Sequence, residues 1–367
     1  MRTRRVKRNG IRLAGFIVLF ALLIVLVSNV MTTADNTDIA NIRGFYQEPK
    51  DSLDVVLMGP SELYAGYAPT LAWQEYGYTS YNFSVGGIQG NLYPSVLIEA
   101  LKRQKPKLVV FNVSGFYWGD WAFEDKAAMH KWIDHMPWSA NKIETIKTQV
   151  PEEQQTQYFF KLLKYHGNWK HPKACLKAAA VNLVMGLKGY SNLKGICTKT
   201  FYNDGSAVSE PAMEYKFSDR ARRYFADLLK CCKERGVKNA LFIAFPHQRP
   251  TEHPEVLTEM EDMVQESGYD FMNFDKNYDS IGITDETDFS DGEHLNMYGM
   301  EKFTHYLGGY INDNYSVHST YSDKIKSRWN KCTDTTNDIL LQCKEDLENG
   351  IRRGYFEFSV YRKPRIQ

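Results

Sequence analysis

Net charge is what this sequence most nearly lacks: 45 Lys and Arg stand against 44 Asp and Glu, a formal +1 over 367 residues. Beyond residue 12 no Lys/Arg stripe stands out, so the electrostatic footprint of a nucleic-acid binder is absent and no such partner is expected. Cysteine is sparse too. Cys175, Cys197, Cys231, Cys232, Cys332 and Cys343 show no metal-ligand spacing, and the chain is far too long to need a disulfide framework. Cys332 and Cys343 could pair in an oxidising exterior. Cys231 and Cys232, adjacent on a predicted helix, point in different directions and read as small apolar residues. His130, His135, His166 and His171 match no zinc spacing, and neither a metal nor a cofactor is expected. With 43% hydrophobic and 24% charged residues, the composition is that of a packed globular protein, and extended disorder is excluded.

What is present begins with a polarised N-terminus. Arg2, Arg4, Arg5, Lys7, Arg8 and Arg12 precede an uncharged stretch from Leu13 to Met31, nineteen residues that just suffice to cross a bilayer. A cleaved signal peptide competes with an uncleaved anchor, although its apolar core is usually shorter and the small residues Thr32-Thr33-Ala34 make a weak cleavage site. With the basic residues before the span and none after it until Arg43, the positive-inside rule leaves residues 1–12 in the cytoplasm and everything after 13–31 outside. Removing those six cations leaves 39 basic against 44 acidic residues, so the outer part is mildly acidic.

Residues 32–51 read as a polar stalk. Over 52–314, strand-like runs at Leu53 to Met58, Ser80 to Phe83, Leu108 to Val113, Ala240 to Phe245 and Phe271 to Phe274 alternate with helical patterns at Leu92 to Arg103, Phe217 to Arg235, Pro254 to Ser267 and Asn296 to Asn314. Such alternation predicts an α/β domain with a parallel sheet covered on both faces, whose ligands bind at the carboxyl ends of the strands. From about 118 to 213 the pattern breaks into an aromatic-rich, helical insertion of the kind that forms a lid or binding subdomain. Residues 315–367 form a C-terminal extension with a polar helix over Lys324 to Leu347, to which no chemistry is assigned.

Two segments carry chemistry. Val55-Val-Leu-Met-Gly59-Pro-Ser61 ends an apolar run in a serine at a strand mouth, and Asp291-Gly-Glu-His294 supplies a base with its own orienting carboxylate. A serine that opens a helix is in most proteins only a cap, which is the plainer reading of Ser61. A developing oxyanion needs donors. Ser61 N–H is one; Gly87, with Gly86 as the alternative, is a second, because glycine lets its backbone approach a substrate. The run Asp285 to Glu293 is acidic but fails the calcium-loop pattern at Phe289, and Asp285, Asp288 and Glu293 read as solvated turn acids. The sequons at Asn82 and Asn112 fall in or beside buried strands where no glycan fits, which favours a bacterial source.

These blocks, in this order, resemble the SGNH (GDSL-like) hydrolase superfamily. Anchor, stalk, Gly-x-Ser-Glu-Leu, Ser80-Tyr-Asn82, Lys164-Tyr-His166-Gly-Asn-Trp169 and the closing Asp291-Gly-Glu-His294-Leu-Asn resemble its membrane-anchored Gram-positive branch, which includes the D-alanyl transfer protein of the teichoic acid pathway. The resemblance implies a flavodoxin-like three-layer αβα fold. It also implies acyl or acetyl transfer through Ser61, Asp291 and His294 on a cell-envelope polymer, beside a multispanning acyltransferase. The third oxyanion donor it implies is Asn112 or Ser114. Pro60 stands where the superfamily has Asp, and Phe111 to Gly115 where it has Gly-x-Asn-Asp. A non-catalytic envelope subunit that binds a polymer or the acyltransferase is the rival expectation.

Overall fold

Short segments of three to five residues, too short for helices and most apolar in β1, β3 and β5, form the strands of one parallel sheet. The computed structural model describes residues 2–32, 37–202, 214–249, 251–275 and 278–361; residues 33–36 of the expected stalk and 203–213 of the insertion lie outside them. The strands are β1 (Val55–Met58), β2 (Ser80–Asn82), β3 (Leu108–Asn112), β4 (Thr198–Lys199), β5 (Ala240–Ala244), β6 (Asp270–Asn273) and β7 (Gly354–Tyr355). The main sheet runs β2-β1-β3-β5-β6 with every pair parallel, while β4 and β7 form a separate antiparallel ribbon.

Because side chains alternate along a strand, the sheet feeds two cores. Val56, Met58, Val109, Phe111 and Phe242 join one; Val55, Leu57, Leu108, Val110, Leu241 and Ile243 join the other. Helices Tyr93–Arg103, Asp219–Glu234 and Glu255–Glu266 cover the first face, and Met297–Asn314 contributes Phe303, Leu307 and Ile311 to the second. This is the expected three-layer α/β architecture. The chain leaves β1 for β2 on one side and later for β3 on the other, so the switch point lies at the carboxyl ends of β1 and β3.

The N-terminal helix, Arg2–Thr32, includes one segment long and apolar enough to cross a membrane, Asn9–Thr32. Immediately after it the structure corrects the stalk. Thr37–Gln47 is a helix whose Ile39, Ile42 and Phe45 are buried, and the Phe45 ring stacks on Phe83 with centroids 3.9 Å apart. Its burial is nearly all round: Asp38, Ala40, Asn41 and Gly44 are buried too, with Ile42 and Phe45 in the first core and Ala40 packed with Ala178 and Met185 of the insertion.

The insertion is helical. Lys126–Ile133 and Ala140–Gln149 bring Trp132, Ile133 and Ile146 into the first core, and Pro172–Lys188 packs beside the end of the N-terminal helix. The extension forms the helix Asp323–Glu348, which packs on Pro69–Tyr76, with Thr70 Oγ1 donating to Thr336 Oγ1 at 2.8 Å. Cys332 and Cys343 sit eleven positions apart on that one helix, about 16 Å at the usual rise per residue. They cannot pair, and all six cysteines are free and buried.

Candidate active site

Gly59 lets the ends of β1 and β3 meet: a Cβ there would lie 2.8 Å from the Asn112 Cβ. Pro60 then turns the chain, and Ser61 becomes the first residue of the helix Ser61–Gly66. Its Oγ is 2.7 Å from His294 Nε2, and His294 Nδ1 is 2.7 Å from Asp291 Oδ1. A carboxylate can only accept, so Nδ1 carries the proton and Nε2 is left to accept from the serine. His294 is 16% exposed, which leaves the dyad reachable from solvent.

The Asp291 loop is held from several sides. Oδ1 also accepts from the backbone N–H groups of Glu293 and His294, at 3.0 and 2.9 Å, and Oδ2 accepts from Lys199 Nζ at 2.9 Å. Asn296 closes the loop by capping the helix Met297–Asn314 through the N–H groups of Tyr298 and Gly299. Burial works against the Asp291 charge, but the hydrogen bond and charge of His294, together with Lys199, hold its carboxyl well below the usual range. Lys199 lies on β4, which is registered against β7 of the C-terminal extension. The extension therefore contributes to the site after all.

Of the two glycine candidates, Gly86 is spent: its N–H donates to Asp38 Oδ1 at 2.6 Å. Gly87 has a left-handed φ of 71° and open space where a Cβ would stand, with only Ala128 Cβ near, at 3.9 Å. Both proposed third donors are engaged, although the Asn112 amide carries a second N–H. Asn112 Nδ2 and Ser114 Oγ both donate to Glu62 Oε2, at 3.1 and 3.0 Å, and all three residues are buried. Tyr64, three residues beyond Ser61, brings its hydroxyl close to Gly86: a Cβ built there would meet it at 3.0 Å. Burial pushes the Tyr64 phenol well up, Asp38 and Cys197 add to the rise, and a hydrogen bond to Ser61 opposes it, so the group stays a neutral donor.

Behind Ser61 lies a network that sequence reading missed. Glu62 Oε1 is 3.3 Å from His247 Nε2, and His247 Nδ1 is 3.2 Å from Asp275 Oδ1 and 3.1 Å from the Tyr215 hydroxyl. Carboxylates at both ring nitrogens require both to be donors, which makes His247 an imidazolium. Burial disfavours that charge, but the hydrogen bonds to Asp275 and Glu62 and their charges outweigh it and raise the imidazole to about 10. The available clue was position: Asn112 ends a strand of the sheet, and Glu62, His247 and Asp275 each lie two to four residues past the carboxyl end of one. Asp288 is a correction of another kind. It is buried, accepts from Thr284 N–H and pairs with Lys302 at 2.6 Å, so it is a structural acid and not a solvated one.

His166 and Trp169 are exposed on the insertion, and neither is hydrogen-bonded to Ser61, His294 or Asp291. A hollow lined by Lys105, Lys107, Arg235 and Lys238 opens at the amino ends of the strands, opposite the serine.

No family model and no curated protein matches the chain. Among solved structures it is similar to a candidate acylhydrolase from Bacteroides fragilis, at 12% identity and a TM-score of 0.36, over 76% of this chain and 98% of that one. It is also similar to a Streptococcus pneumoniae structure described as a candidate platelet activating factor, at 10% identity and a TM-score of 0.33, over 79% and 99%. Likenesses this low carry no functional weight, and the chemistry has to come from the side chains themselves.

Removing His247 tests the buried network. His247→Leu leaves two buried carboxylates without their cation and is expected to cost about 3–5 kcal/mol in denaturant unfolding at neutral pH, because an uncompensated buried charge remains. The sign with pH follows from the raised value. The stabilisation is complete below about 6.5, the free imidazole value, and is lost as pH rises through about 10. A loss under about 1 kcal/mol at pH 7, the size of an ordinary substitution, would show that the cation is not needed.

Proposed function

We propose that the protein is an extracytoplasmic serine acyl-transfer enzyme, an O-acyl esterase or transferase acting on a cell-envelope polymer. The observation that carries this reading is the continuous Ser61–His294–Asp291 hydrogen-bond chain at the switch point of the sheet, with bonds of 2.7 and 2.7 Å. In the first half-reaction His294 Nε2 takes the Ser61 proton while Oγ attacks the acyl carbonyl. The oxyanion forms beside the N–H groups of Ser61 and Gly87, and Tyr64 O–H serves as the third donor in place of Asn112 or Ser114. Collapse expels the leaving group, which takes the proton from His294 and leaves an acyl ester on Ser61. In the second half, His294 deprotonates water or an acceptor hydroxyl, the ester carbonyl is attacked, and Ser61 recovers its proton.

Water as acceptor makes an esterase; a polymer hydroxyl makes a transferase. The apolar helix Asn9–Thr32, preceded by basic residues, supports an uncleaved anchor with the N-terminus cytoplasmic and the α/β domain outside. In that setting an acyl donor exported by a multispanning acyltransferase, and an acceptor in a polymer such as teichoic acid, fit the resemblance of the sequence blocks. One observation favours a second reading. Glu62 occupies both side chains that the SGNH resemblance offers as third donor, as in a cleft that binds a polymer or partner without turning it over.

A fluorophosphonate probe separates the two readings. It should label the wild-type chain once, on the peptide containing Ser61, and His294→Ala should abolish labelling while leaving the thermal melt nearly unchanged. Folded wild-type protein that stays unlabelled over hours and inert toward small acetyl esters would favour the binding subunit. Tyr64→Phe tests the third donor: turnover of p-nitrophenyl acetate should fall by roughly 100-fold or more, the usual cost of one oxyanion donor. Unchanged turnover would remove Tyr64 from the oxyanion site.

A further inference from the structure

The near-zero net charge conceals one segment of a single sign. Between Glu153 and Asp204 there is no acidic residue, while six lysines lie between residues 161 and 188. The same segment exposes large apolar side chains. Phe160, Leu163 and Trp169 are 64%, 57% and 63% exposed, and Leu176, Leu183 and Leu187 are 62%, 64% and 80% exposed. On the helix Pro172–Lys188, positions 176, 183 and 187 fall on one face, whereas Cys175, Ala178 and Met185 fall on the other and are buried. The helix thus has two apolar faces, and only one is covered by the protein.

The segment that carries this face adjoins the apolar N-terminal helix. The end of that helix packs against Leu162–Tyr165 and Pro172–Lys188, and Asn168 Nδ2 donates to Met31 O at 2.7 Å. We propose that the face built from Phe160, Leu163, Trp169, Leu176, Leu183 and Leu187 lies in the headgroup boundary of an anionic lipid bilayer. Leu, Phe and Trp on one side with lysines around them are the composition of an in-plane interfacial segment. A second copy of the chain is disfavoured as occupant, because it would bring the same lysines face to face. The proposal rests on the reading of Asn9–Thr32 as a membrane anchor and extends it: the domain does not swing on a tether but lies against the leaflet. The insertion then returns through Ser191 to Lys199, whose ammonium holds Asp291, so the docked face also sets the height of Ser61 above the lipid.

The test uses the full chain in liposomes of phosphatidylglycerol and phosphatidylethanolamine, with p-benzoylphenylalanine in place of Leu19, Leu183, Leu187 or Leu341. Leu341 is an exposed leucine, at 61%, on the C-terminal helix and serves as the control. After irradiation, intact-mass measurement should find lipid adducts at positions 19, 183 and 187 several-fold above position 341. Replacing phosphatidylglycerol with phosphatidylcholine should lower the yield at 183 and 187 but not at 19. Adducts at 19 with none above control at 183 and 187 would overturn the docking face and keep the anchor. So would chain-to-chain crosslinks at 183 or 187 in place of lipid. Adducts at 183 and 187 with none at 19 would remove the anchor and retain the face.

Discussion

The Glu62 carboxylate is the group on which the arrangement depends. A buried carboxylate must be matched by donors, and Glu62 finds three: Asn112, Ser114 and the His247 imidazolium. Asn112 ends β3 and Ser114 follows it, His247 follows β5, and Asp275, which holds the far side of His247, follows β6. One charge next to Ser61 therefore ties together the carboxyl ends of four neighbouring strands, β1 included. Ser61 sits on a helix of only six residues, too short to be rigid alone; the charge network beneath it supplies the rigidity.

The same network decides which side chains are left to act. By binding Asn112 and Ser114, Glu62 engages both side chains that the SGNH resemblance implied as third donor, while Gly87 keeps open space beside it and the Tyr64 phenol is hydrogen-bonded to Ser61. On the other side of Ser61, Lys199 and two backbone N–H groups hold Asp291, and Asp291 holds His294. Ser61 is thus fixed through the sheet, and His294 through a loop braced by the insertion and the C-terminal extension. A lysine from an element so remote in sequence gives the outer parts of the chain a direct route to the site.

How much of this was legible follows from the range of each interaction. The strands were readable because buried parallel strands are continuous apolar runs, and Ser61, Asp291 and His294 because each sits in a short local block whose spacing is itself the geometry. Glu62 stood in view beside Ser61, but its role depends on His247, 185 positions away, which no local pattern announces. Thr37–Gln47 reads as a stalk because five polar or charged residues, Thr37, Asp38, Asn41, Arg43 and Gln47, hide the three-residue spacing of Ile39, Ile42 and Phe45. Asp288 looked like a solvated acid for a similar reason: its partner Lys302 lies one helix later. The apolar face of Pro172–Lys188 was hidden differently, since both faces of that helix are apolar and only the fold shows which one is covered.

The central claim is that Ser61 carries the acyl group. Rapid quenching of the full-length protein with an activated acetyl ester, followed by peptide mass spectrometry, tests it most directly. The account predicts one acetyl group on the peptide that contains Ser61, formed faster than bulk hydrolysis and absent from Ser61→Ala and His294→Ala. Product release at the wild-type rate with no acetyl on Ser61, or an acetyl trapped on another residue, would contradict it.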